Sequence, residues 1–191
     1  MDKKLYTILI YSENVVGILN IVTAVFTRLQ VNIESLNVSP SGIPNVHKYT
    51  VTIFSDPVQV EKLVKQIEKK VDVIKADYYL DDEIFTSEVA LFKLSTDKVI
   101  QHPEISKAIR HTESRMLEVN ETYITVHVCS SAKTIISLYK TFARYKCVLQ
   151  YTRSGRVAIT RSHVEKVSNF LREQRNAQLM FMEEGINDEE C

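Results

Sequence analysis

The sequence is poor in the residues that build loops around phosphates and metals. Its 191 residues include four glycines, four prolines and three cysteines. Four glycines are too few for the usual phosphate-cradling loops. Nor does any Gly-x-Ser-x-Gly, P-loop or metalloprotease signature occur. The cysteines, Cys129, Cys147 and Cys191, are odd in number and form no CxxC pair. That pattern suits a reducing cytosol better than a disulfide scaffold. A charge surplus is also missing, with 24 Lys+Arg against 24 Asp+Glu. Nucleic acid and anionic membranes usually demand a basic surplus, so neither is expected as the main partner. Long apolar runs are absent too. After Met1-Asp2-Lys3-Lys4 the apolar run is too short for a signal peptide or a membrane span. A soluble cytoplasmic protein is expected.

What is present is an ordinary globular composition, 45% hydrophobic and 25% charged. Lys3 to Tyr11 reads as a buried strand. Gly17 to Leu29 carries Ile18, Leu19, Val22, Val25, Phe26 and Leu29 at helical spacing. Val31 to Val38 is read as the second strand. Pro40 to Asn45 is a turn, and Val46 to Phe54 the third strand. Asp56-Pro57 opens a helix, with Gln59 completing a capping-box pattern and Val60, Leu63, Val64 and Ile67 as its stripe. Val71 to Leu80 is the fourth strand. The order βαββαβ is the ferredoxin-like arrangement.

The acidic stretch Asp81-Asp82-Glu83 marks a boundary, and 81–86 is read as a linker. The order then repeats: a strand at Glu88 to Leu94, a helix at Pro103 to Arg110, and strands at Arg115 to Val119 and Tyr123 to Cys129. A helix at Ser131 to Tyr145 follows, then two strands, Val148 to Arg153 and Arg156 to Thr160, around Gly155. The expectation is an α+β protein of two ferredoxin-like domains, 1–80 and 87–161. The tail, 162–191, is read as a frayed helix with Val164, Val167, Phe170 and Leu171 at helical spacing, followed by acidic disorder.

The stretch with most chemistry is Ser12-Glu13-Asn14-Val15-Val16-Gly17-Ile18-Leu19, with Val31-Asn32-Ile33-Glu34 a helix later. A strand-to-helix turn leaves first-turn N–H groups without partners, and these attract a carboxylate. Gly17 lets backbone approach a ligand. Asn14 and Asn32 bring amide donors and acceptors. They sit at opposite ends of one helix, so closing both around one ligand calls for two chains. Spacing alone leaves the ordinary alternative open, that glycine and asparagine are simply turn residues.

Other features have structural readings. His127-x-Cys129 share a strand face, but two ligands do not make a metal site, and burial in a core is the expected role. Lys62, Lys65, Lys69 and Lys70 form a solvated helix face. An RNA-recognition module shares the βαββαβ order, but His47-Lys48-Tyr49-Thr50-Val51-Thr52 lacks its Gly-Phe-rich strand.

Glu13-Asn14-x-x-Gly17-x-Leu19 with Asn32-Ile33-Glu34-Ser35-Leu36 resembles the ACT-domain signature of acetolactate synthase small subunits. Val71-Asp72-Val73-Ile74-Lys75 resembles that family's fourth ACT strand. Ser87 to Leu94 resembles the strand opening its second domain, and Arg153 to Arg161 its C-terminal stretch. The resemblance implies a regulator without catalytic residues or a cofactor of its own. It further implies a homodimer through ACT domains, and valine or another branched-chain amino acid held between protomers. The partner would be a catalytic large subunit carrying thiamine diphosphate, FAD and magnesium. Effector contacts would fall on Asn14, Gly17, Ile18 and Leu19 of one protomer and Asn32 and Ile33 of the other. A stand-alone ACT-type amino-acid sensor is the alternative. Leu29-Gln30 stands where the family commonly has Arg-Gly. A left-handed Gln there costs roughly 1 kcal/mol more than Gly, so a different turn is expected.

Overall fold

A run rich in Leu, Ile, Thr and Tyr favours extended backbone, and β1 (Lys4–Glu13) is buried from Tyr6 to Ser12 on both faces. In this computed structural model, which describes residues 3–163 and 167–172, β1 lies inside a four-stranded antiparallel sheet. The elements that follow are α1 (Ile18–Arg28), β2 (Ser35–Pro40), β3 (Val46–Ser55), α2 (Pro57–Glu68) and β4 (Val73–Tyr79). The strand order is β2-β3-β1-β4. Register is set from Lys4 opposite Ser55 to Glu13 opposite Val46, and β4 pairs along the other edge of β1. Val22, Val25 and Phe26 of α1 and Val60, Leu63 and Ile67 of α2 are buried with Ile8, Ile10, Val51 and Ile53. At roughly 2 kcal/mol per fully buried aliphatic side chain, such stripes hold the helices in place.

The second sheet follows the same plan. Its elements are β5 (Ile84–Ser95), α3 (Thr96–Gln101), α4 (Pro103–His111), β6 (Arg115–Val119), β7 (Tyr123–Ser130), α5 (Ala132–Arg144) and β8 (Val148–Thr160), in the order β6-β7-β5-β8. Its core joins Ala90, Phe92 and Leu94 to Ile124, Val126, Val128, Ile135, Leu138, Phe142 and Cys147. Phe92 meets Phe142 edge-on at 5.1 Å and stacks on Tyr151 at 4.8 Å. Burial pushes the Cys147 thiol above its ordinary range. The chain divides into two compact units. One comprises residues to Glu34, Val38–Ile84 and the chain from Thr160, the other Ser35–Asn37 and Phe85–Ile159.

Several expectations need correction. The second strand begins at Ser35, not Val31, because Val31 is drawn under α1 by its bond to Phe26 O at 3.0 Å. β5 begins at Ile84, inside the stretch read as linker. The short helix α3 was not foreseen. Its six residues carry only Thr96 and Val99 inward, too few to make a period visible. The two strands expected around Gly155 are one continuous β8, with Gly155 at φ 74 inside it. Half of the capping box forms. Asp56 Oδ1 accepts the Gln59 N–H at 2.9 Å, but the Gln59 side chain bonds Ser55 Oγ and Leu29 O instead of reaching back. His127 and Cys129 do share a face of β7, yet it is the open one. Cys129 is exposed beside Ser87 Oγ, and Ile124, Val126 and Val128 take the core positions. Of the tail, 167–172 are helical and Val167 is buried, while Val164 and the acidic end lie outside the described residues.

The turn at Gln30 also differs from expectation. Gln30 adopts the left-handed conformation at φ 54. Its N–H bonds Thr27 O and the Val31 N–H bonds Phe26 O, both at 3.0 Å, which is a Schellman closure. The apolar pair Phe26 and Val31, both buried, fastens it. Glu113 (φ 53) after α4 and Lys146 (φ 49) after α5 close their helices with the same pattern of bonds. In a chain so short of glycine, other residues occupy the left-handed caps.

Candidate effector site at the start of the first helix

β1 approaches the site through a register shift at Tyr11/Ser12, and Glu13 N–H then bonds Asp72 O at 2.9 Å. This shift lets the strand end bend toward α1. Asn14 to Gly17 form the exposed connection, with the Val16 side chain wholly in solvent. Gly17 is the N-cap of α1 at φ 88 and ψ −10, and a Cβ built on it would meet nothing within 4 Å. Glycine is needed there for the backbone angle, not for packing. The space a side chain would fill stays open to a ligand.

Among the described residues no side chain caps α1, and its first turn holds no acidic residue. The Ile18 N–H turns back to Val15 O at a long 3.4 Å, and Ile21 N–H bonds Gly17 O at 3.1 Å. The first-turn N–H groups between them face outward at the positive end of the helix dipole. The Ile18 side chain is buried and serves to anchor the turn, whereas Leu19 is exposed and presents apolar surface. This arrangement can hold a carboxylate against backbone donors with an aliphatic group beside it.

The remaining expected residues lie elsewhere. Asn32 and Ile33 follow the Schellman turn at the far end of α1. Asn32 is exposed and its amide donates to Glu34 Oε1 at 3.1 Å, and Ile33 is half-buried. An 11-residue helix is about 16 Å long, so the structure gathers Asn14, Gly17, Ile18 and Leu19 and leaves Asn32 and Ile33 apart. Sequence reasoning missed what does stand beside Asn14. A concavity of about 400 Å³ is lined by Glu13, Asn14, Val15, Pro44, Asn45, Val46 and Ile74. Asn45 O accepts the Asn14 N–H at 3.0 Å. The available signal was Pro44-Asn45, a turn dipeptide whose Asn tolerates left-handed backbone.

In the second unit the missed feature is a buried ion cluster. Glu88 sits on the apolar parity of β5, followed on that face by Ala90, Phe92 and Leu94. Arg153 Nε lies 3.2 Å from Glu88 Oε2 and Arg156 Nε 3.8 Å from Oε1, with Glu88 and Arg156 both buried. Residues i and i+3 of a regular strand face opposite ways. Gly155 in left-handed backbone resets the parity between them, so both arginines reach one carboxylate. Among the described residues no three His, Cys, Asp or Glu side chains gather as a metal site.

The model for the acetolactate synthase small subunit matches residues 87–162, and that for the ACT domain of the same subunit matches 8–75. The small subunit of Bacillus subtilis is 27% identical over 168 residues, 87% of this chain and 95% of its own. That of Buchnera aphidicola from Baizongia pistaciae is 25% identical over 161 residues, 83% of this chain and 98% of its own. The crystal structure of the Thermotoga maritima small subunit has the same fold, with a TM-score of 0.76 at 23% identity over 84% of this chain and 99% of that one. On these matches, in register across both sheets, the chain belongs to the family of acetolactate synthase small subunits, the regulatory and non-catalytic partners of a larger catalytic subunit.

Proposed function

We propose that this chain regulates an acetolactate synthase large subunit by binding valine, or another branched-chain amino acid, between the first units of two copies. The observation that carries the reading is the turn behind Gly17, whose outward backbone N–H groups lack a side-chain cap among the described residues. Leu19 N–H, with Ile18 N–H turned from Val15 O, receives the carboxylate. Gly17 leaves room for it, and Asn14 orients the polar end. Asn32 and Ile33 come from the second copy, because α1 keeps a chain's own pair out of reach. β2 is an edge strand of the first sheet, as β4 is at the other side, and offers an element for such pairing.

Occupancy then shifts the balance between two arrangements of the pair, with a coupling of about 1–3 kcal/mol typical of such regulation. Feedback inhibition follows when the valine-bound arrangement supports the catalytic subunit less well. Thiamine diphosphate, FAD and magnesium belong to that partner, and the work is done in the cytoplasm. Among the described residues no helix is long and apolar enough to cross a membrane. Titration calorimetry with valine, leucine and isoleucine tests the reading. Heat with at least one is expected, and none with any of them would end the effector claim. An unchanged acetolactate rate on mixing with the large subunit would end the regulatory one.

A further inference from the structure

The site was expected on the β1–α1 turn and the residues after α1, yet the turn does not stand by itself. Its first residue, Asn14, is held through the main chain by the β2–β3 turn. Asn45 is in left-handed backbone at φ 61, and this aims its carbonyl at the Asn14 N–H, 3.0 Å away. That turn is itself braced. Ser41 N–H bonds Val46 O at 2.8 Å, and Val46 N–H bonds Ile43 O at 3.2 Å. Ser41 Oγ accepts the Ile43 N–H at 3.0 Å. On its other side the same strand end is fixed by Glu13 N–H to Asp72 O at 2.9 Å. Asn14 is therefore clamped, while Val15, Val16 and Gly17 after it are exposed and Gly17 turns the chain in left-handed backbone.

We infer that Asn45 is a positioning residue for the effector, acting through its backbone by fixing where Asn14 and the start of α1 lie. The inference rests on the effector reading given above. A site on a loop needs such support, because small displacements of its donors lose binding. The role belongs to the conformation and the carbonyl, not to the carboxamide. Glycine adopts the same backbone readily, and a β-branched residue does not.

The experiment uses the full chain, with two readouts: valine affinity by calorimetry and exchange of the Asn14 amide proton. Asn45→Gly is expected to bind valine within about twofold of the original chain and to keep Asn14 protected. Asn45→Val is expected to bind about tenfold more weakly with Asn14 exchanging freely, while cooperative unfolding is retained. If that variant does not fold, Asn45→Ala gives the same comparison with a milder strain, and a loss of about threefold is expected. The inference is overturned if the strained variants lose Asn14 protection but bind valine like the original chain. It is equally overturned if Asn45→Gly folds and does not bind, since the carboxamide would then be the contact. If the unaltered chain binds no branched-chain amino acid, the effector reading fails and this inference with it, before any variant is compared.

Discussion

The two units repeat one topology, 2-3-1-4 in each sheet, and differ where the first strand hands over to the first helix. In the first unit this handover is open. Gly17 is left-handed, Val16 is in solvent, and among the described residues no side chain caps α1. In the second unit the corresponding handover, Ser95-Thr96, is closed by its own neighbours. Ser95 N–H bonds Cys147 O, Thr96 N–H bonds Thr122 O, and Thr96 Oγ1 donates to Asn120 O at 2.8 Å. The Asn120 side chain in turn accepts from Thr122 and Tyr123 N–H, shaping the β6–β7 loop that covers the turn. The second unit puts its charge inside, on Glu88. The same frame thus yields an open turn in one unit and a sealed one in the other, and fold alone does not assign the site.

The largest expected effect bears on the sealed unit. Glu88→Ala leaves the buried Arg156 without its carboxylate and is expected to remove about 3 kcal/mol or more of stability. Arg153 is one-third exposed and contributes less of this. Urea denaturation followed in the second unit checks it, and a loss below about 1 kcal/mol would show that solvent already screens the cluster. Next comes the handover itself. Gly17→Ala forces a side chain into φ 88 and is expected to lower stability by about 1–2 kcal/mol and to reduce the valine response. Ser95→Ala should alter neither by much, since Ser95 supplies its N–H and no side-chain cap. Equal effects on valine would break the contrast between the units.

Smaller effects follow at the three non-glycine caps. Gln30→Gly, Glu113→Gly and Lys146→Gly each release left-handed strain, and thermal melts should show gains of up to about 1 kcal/mol, alike in both units. A gain confined to one unit would show that the shared closure hides different strain. The smallest effect is electrostatic. The hydrogen bond to Glu68 holds the Lys75 ammonium above its ordinary range, outweighing the downward pull of burial. A raised lysine adds stability that is complete below the unfolded value, about pH 10.4, and is lost as pH rises through the folded one. Lys75→Met should therefore lower stability by about 0.5 kcal/mol near pH 8, with the gap closing above about pH 10.4 in denaturant titrations.

The sequence by itself determined most of the secondary structure and the place of the open glycine turn before α1. An apolar, β-favouring composition placed β1, which is buried on both faces, and periods of 2 and 3.6 in apolar residues placed α1, β3, α2, β7 and α5, because burial of one face is decided residue by residue along the chain. The turn at Gly17 was legible because a helix start behind glycine has the same unpaired groups wherever it occurs. Only the tertiary structure decided what stands near what. Asn45 reaches Asn14 across the sheet end, Arg153 and Arg156 turn to one side of β8 at Gly155, and Gln30 keeps a left-handed turn its own preference opposes. Each depends on contacts distant in sequence, or on packing that outweighs about 1 kcal/mol of local preference, as Phe26 and Val31 do beside Gln30.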